Sequence, residues 1–153
     1  MLSSTGWSHS FSPAAMELER HMSVDFTGTW NASLTQSRLL GPIPKAISIR
    51  IEHSDPELQE EMLVTRQDGS QQRLVFKCAT TGEPNRSSLN GTPVRGTARW
   101  QGEELEIESW ARVGARAMYF CDYWALSPDG QTLYMEHRND ALAGQLTVLD
   151  RGK

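Results

Sequence analysis

The sequence predicts an all-β protein: an antiparallel up-and-down β-barrel of about eight to nine strands, preceded by a short N-terminal helix or tail. Three observations predict it. Lys45 to His53 alternates with a period of two, placing Ile47, Ile49 and Ile51 on one face and Ser48, Arg50 and Glu52 on the other. A helix would scatter those isoleucines around its circumference. Apolar segments are then separated by turn signals such as Asp68-Gly69 and Ser127-Pro128-Asp129-Gly130, which join successive strands by short hairpins. No long helical pattern interrupts them, which disfavours a parallel βαβ architecture. A two-sheet sandwich uses the same strands. The run of sequential hairpins and the Gly28-Thr29-Trp30 of the first strand favour the barrel.

The chain divides at residue 23, giving an N-terminal extension over 1–23 and a barrel over 24–153. In the extension, Ser12 to Arg20 fits a short helix with Ser12 as N-cap and Pro13 as first helical residue. It fits a tail equally well. In the first strand Phe26, Trp30 and Leu34 lie on one side, with Thr27, Thr29, Asn31 and Ser33 on the other. Gly28 interrupts it, and glycine inside a strand marks a close approach to the backbone. Leu40-Gly41-Pro42-Ile43-Pro44 is a loop, because its prolines lack ladder donors.

A two-residue turn at Asp68-Gly69 predicts a hairpin of Leu58–Gln67 with Ser70–Thr80. That register sets Glu60 opposite Lys77 outside, with Leu63 opposite Leu74 and Glu61 opposite Phe76 inside. Residues 81–93 read as a loop. The next hairpin, Val94–Trp100 with Glu104–Val113, pairs Trp100 with Leu105, Arg99 with Glu106 and Arg95 with Trp110. Its inner face carries Val94, Gly96, Ala98 and Trp100 from one strand and Leu105, Ile107, Ser109, Ala111 and Val113 from the other. Arg116–Leu126, Gln131–Asn139 and Gln145–Asp150 complete the set. A four-residue turn at Pro128 places Trp124 and Leu133 inside. A glycine bulge would instead set Cys121 and Tyr123 on the face of Met135, and the apolar content favours the former.

A length of 153 residues fits one domain with room for a core or a ligand cavity. The net charge of -4 argues against a nucleic-acid partner. A hydrophobic content of 38% without a membrane-length apolar run predicts a soluble chain with no membrane span. The first residues show no basic and apolar leader, so the expected location is cytoplasmic, or periplasmic or secreted if a native leader has been removed. Cys78 and Cys121 are expected as two free, buried thiols.

Through Phe26 to Trp30, and through the hairpins ending in Ser127-Pro128-Asp129-Gly130-Gln131-Thr132-Leu133, the chain resembles the calycins. These are the lipocalins, fatty-acid-binding proteins and avidin-like proteins, and bacterial lipocalin-like domains in particular. The resemblance implies that Gly28 and Trp30 close one barrel end and that a late-strand cation packs over Trp30. Arg138 is the first choice for that cation and Arg151 the second. The helical lid and the terminal Arg-Xaa-Tyr clamp of fatty-acid-binding proteins are missing, which weakens fatty acid as the specific ligand.

No nucleophile elbow, phosphate loop or His-Glu-Xaa-Xaa-His motif is present, so no catalytic residue, metal or cofactor is expected. The function the sequence favours is noncatalytic binding of a small hydrophobic or amphipathic ligand, lipids included, inside the barrel. Ile47, Ile49, Leu63, Leu74 and Phe76 would wall the site with Ile107, Trp124 and Met135. Glu61 and His137 would be its interior polar contacts, and Met62 and Met118 could add yielding surface. Arg116 and Asp122 with Tyr119 and Tyr123 form another possible head-group site. One alternative is an isomerase- or hydratase-type enzyme using Glu61, Tyr119, Tyr123, His53 and His137. The other is a ligand-free module that dimerises through a strand edge.

Overall fold

The computed structural model describes residues 24–139 and 144–152. The expected N-terminal helix or tail lies outside the described residues. Ten strands follow in order: β1 (Gly28–Ala32), β2 (Ala46–Ser54), β3 (Glu57–Thr65), β4 (Gln71–Ala79) and β5 (Asn85–Leu89), then β6 (Thr92–Gln101), β7 (Glu104–Val113), β8 (Arg116–Leu126), β9 (Thr132–Asn139) and β10 (Gln145–Arg151). Each pairs antiparallel with its sequence neighbours, and β1 also pairs with β10, so the sheet closes into an up-and-down barrel. Closure leaves no open edge among these strands.

One strand was not expected. β5 lies in the stretch read as a loop, because Asn85-Arg86-Ser87-Ser88 has no apolar alternation to announce it. Its turn does have a signature: Asn90 and Gly91 both take positive φ, 52° and 80°, the geometry of a two-residue hairpin turn. β5 pairs with β4 at Phe76 opposite Leu89 and Lys77 opposite Ser88.

The hairpin of β3 and β4 corrects the expected register. Arg66 N–H donates to the Ser70 carbonyl and Gly69 N–H to the Arg66 carbonyl, so three residues form the turn, with Gly69 left-handed at φ 87°. The single-residue slip exchanges the two faces of β3. Glu60 now lies opposite Phe76, Met62 opposite Leu74 and Gln59 opposite Lys77. Leu58, Glu60, Met62 and Val64 share the inner face with Ile51, Ile49 and Ile47 of β2. Glu61 and Leu63, expected inside, point outward, opposite Val75 and Arg73. The β6–β7 pairing has the expected register, including Arg99 opposite Glu106 and Trp100 opposite Leu105. The turn at Pro128 spans four residues, with Ser127 N–H donating to the Thr132 carbonyl, and Trp124 lies inside.

The core is concentrated at one end of the lumen. Phe26, Trp30, Ile49, Ile51, Leu105, Leu133 and Leu149 are fully buried there. Phe26 stacks on His53 and on Trp100, with Trp124 edge-on to it at 5.6 Å. Cys78 faces inward beside Leu58 and Cys121 sits on the outward parity of β8, so the two buried thiols are free and on opposite faces of the sheet. Burial pushes the Cys78 thiol up to about 12.

Candidate functional site: a polar cluster inside a hollow lumen

Two features define the lumen: a sealed end and a cavity. At the sealed end, Trp30 is fully buried and its indole N–H donates to the Phe26 carbonyl at 3.0 Å. The Arg151 guanidinium lies 4.2 Å over the Trp30 ring, in cation–π contact. Arg151 also donates to the carbonyls of Thr27 (2.9 Å) and Gly130 (3.1 Å), tying β10 to the first strand and to the β8–β9 turn. Gly28 makes room for it: a Cβ there would fall 2.5 Å from Arg151 Nη1, and its φ of 151° is one that other residues rarely adopt. Arg138 does not serve this end. It projects from the outer face of β9, more than half exposed, and pairs with Glu136 at 2.9 Å.

His53, on the inward parity of β2, belongs to the sealed end too. Phe26 N–H donates to its Nδ1 at 3.1 Å, and its Nε2 donates to Asp55 at 2.6 Å. With both nitrogens engaged and the ring stacked on Phe26, His53 is a structural residue.

Above that floor the lumen is hollow. A cavity of about 380 Å³ is walled by strands β3 to β10. Its apolar lining includes Met62, Leu74, Phe76, Ile107, Trp124 and Met135. Of the expected wall residues, Leu74, Phe76, Ile107, Trp124 and Met135 therefore face it, and so does His137. Ile47 and Ile49 are packed in the core, and Glu61 and Leu63 are on the outside, where Glu61 pairs with Arg73 and Arg50.

Three titratable side chains reach this apolar space: Glu60, Asp122 and His137. Asp122 and His137 are directly opposite on β8 and β9, and His137 Nδ1 donates to Asp122 Oδ1 at 2.7 Å. Phe120 stacks on the imidazole at 5.5 Å. The hydrogen bond that His137 donates to Asp122 holds the imidazole above its ordinary pKa; burial opposes this, and the charges of Asp122 and Glu60 add to it. Glu60 comes from β3. Burial pushes its carboxyl up to about 8; the Asp122 charge raises it further and the His137 charge opposes. Glu60 makes no hydrogen bond to a side chain or backbone group among the described residues. Glu60 is not among the residues that the sequence singles out for the site, and the expected cluster of Arg116, Tyr119, Asp122 and Tyr123 is divided between the two faces of the sheet. Tyr119 and Tyr123 are on the outer face, where Tyr119 donates to Glu108 at 2.7 Å and Tyr123 bonds Glu106. Among the described residues no group of three or more His, Cys, Asp or Glu side chains is arranged to hold a metal ion.

Fold and site together define a closed antiparallel barrel with a packed end and an apolar cavity beyond it. No protein-family model and no curated protein matches the chain. Among solved structures it is similar to the crystal structure of secretory abundant heat soluble protein 4 from Ramazzottius varieornatus. The TM-score is 0.59 at 9% identity, over 84% of this chain and 95% of that one. At that identity the likeness shows the fold alone, a closed antiparallel β-barrel. No helix among the described residues is long and apolar enough to cross a membrane.

Proposed function

We propose that the barrel binds a small hydrophobic or amphipathic molecule in its lumen without transforming it, in the manner of a calycin. The observation that carries this reading is the cavity of about 380 Å³ between β3 and β10, mostly apolar and with a few polar groups at Glu60, Asp122 and His137. Ligand sites have this composition: apolar walls supply affinity and sparse polar groups set orientation. Met62, Leu74, Phe76, Ile107, Trp124 and Met135 would hold the apolar body. Glu60 and His137 would meet the polar end. The two free buried thiols are in keeping with a reducing, cytoplasmic setting.

The test is a titration with a neutral environment-sensitive dye, followed by emission, on the protein and on Ala111→Phe. Ala111 lines the cavity, so a phenyl ring there occupies ligand space. Saturable binding that the substitution abolishes supports the proposal; no saturable binding to the unsubstituted protein removes it.

A second reading is favoured by one observation, the 2.7 Å Asp122–His137 hydrogen bond in the same cavity as Glu60. A carboxylate-oriented imidazole near a protonated carboxyl suits proton transfer next to a carbonyl group. It predicts that the protein exchanges the α-protons of cyclohexanone for deuterium in D2O. Exchange no faster than buffer alone rules it out.

A further inference from the structure

The carboxyl groups lining the cavity outnumber the basic groups among its described lining residues. Two carboxyl groups, Glu60 and Asp122, face it, and the one basic group among its described lining residues is His137. No lysine or arginine is among them. The imidazole is already committed, since its Nδ1 is bonded to Asp122 at 2.7 Å. Glu60 feels the charge of His137 but has no ion-pair partner of its own among the described residues.

Nothing on the neighbouring strands supplies one. On β2 the residue in register is Ile51, and on β4 it is Phe76. His53, one inward position along β2, is held by Phe26 and Asp55. Cys78, the next inward residue on β4, is a neutral thiol raised partly by the charge of Glu60 itself. Glu61, next to Glu60 in the chain, takes Arg50 and Arg73, but on the opposite face of the sheet. The arginine at the sealed end, Arg151, is bound to Trp30 and to two carbonyls.

An unpaired carboxyl in an apolar cavity ionises most readily when a ligand brings a cation to it. A ligand carboxylate would do the reverse, adding a third acid to a space with one imidazole. We propose that the cavity selects an apolar molecule ending in a protonated amine, which pairs with Glu60, over the corresponding carboxylic acid or alcohol. This rests on the binding function proposed above and names its ligand class. Binding moves one proton. Glu60 is largely protonated at neutral pH in the empty cavity, and its O–H proton leaves to solvent as the ammonium group arrives.

Octylamine, octanol and octanoate carry matched chains and separate the possibilities. Calorimetric titration of the full chain at neutral pH, in two buffers of different ionisation enthalpy, gives affinity and proton count together. The expected order is amine, then alcohol, then carboxylate, with the amine at least about tenfold tighter than the alcohol, as a charge-assisted hydrogen bond provides. The amine should release a substantial fraction of one proton and the alcohol none. Glu60→Gln should bring the amine-to-alcohol affinity ratio close to one. The proposal is overturned by octanoate binding as tightly as octylamine, by an amine preference that survives Glu60→Gln, or by amine binding without proton release. Octanol binding with no preference for the amine overturns the ligand class and leaves the binding function standing. Failure of all three probes overturns both.

Discussion

The two ends of this lumen are built from the same strands and solve opposite problems. At the Trp30 end Phe26 has an aromatic stack, and Trp30 has a carbonyl for its indole N–H and a guanidinium over its ring. At the other end, three residues along β8 and β9, Asp122, Phe120 and His137 face a hollow, and a carboxyl from β3 faces it without a hydrogen-bond partner among the described residues. The difference shows which residues support the barrel and which are available to something else. A packed interior loses stability when a side chain is removed, whereas a wall residue already has space on one side.

The largest expected effect is at the sealed end. Trp30→Ala should cost about 3–5 kcal/mol in denaturant unfolding, and Phe120→Ala, at the hollow end, about half as much. Equal losses would break the distinction between the ends.

Glu60→Gln should act in the other direction and only at higher pH. The native carboxyl keeps its proton up to about 8, whereas an ordinary glutamate gives it up near 4.5. Between those values the unfolded chain binds fewer protons than the native one, so stability falls as pH rises. Removing the carboxyl should flatten that slope. The variant should be more stable by about 2–4 kcal/mol at pH 8, less than the full value of the shift because water reaches the cavity, and near parity at acid pH. Parallel stability–pH curves would place Glu60 outside the lumen.

Smaller effects test the closure. Gly28→Ala should cost about 1–3 kcal/mol, from its backbone conformation and from the displaced Arg151. Arg151→Ala should cost about 1–2 kcal/mol through the lost ring contact and carbonyl bonds. Arg138→Ala, with only its exposed partner Glu136, should leave the midpoint where it was.

Local patterns made most of the barrel legible. The isoleucines of β2 and the cross-strand pairs Arg99–Glu106 and Trp100–Leu105 needed only neighbouring sequence. Asp68-Gly69 did not fix its own register, because the same dipeptide serves a two-residue turn and a three-residue turn with left-handed Gly69. The inner face offered a clue: Leu58, Met62 and Val64 make a more apolar stripe than Gln59, Glu61, Leu63 and Thr65. Choosing that stripe would have placed Glu60 inside. The Asn90-Gly91 turn likewise announced β5 more clearly than the polar strand did. The choice of Arg151 over Arg138 was not legible locally, since it follows from Trp30 meeting Arg151 when the first and last strands pair. The Asp122–His137 contact depended on a register between two strands whose turn allowed two readings.

In this barrel Glu60 faces a confined, mostly apolar space. Carbon-13 NMR of the side-chain carboxyls across a pH titration of the ligand-free protein measures this directly. The structure predicts a Glu60 midpoint at about 8. A midpoint near 4.5, the ordinary value for a glutamate in water, would contradict it.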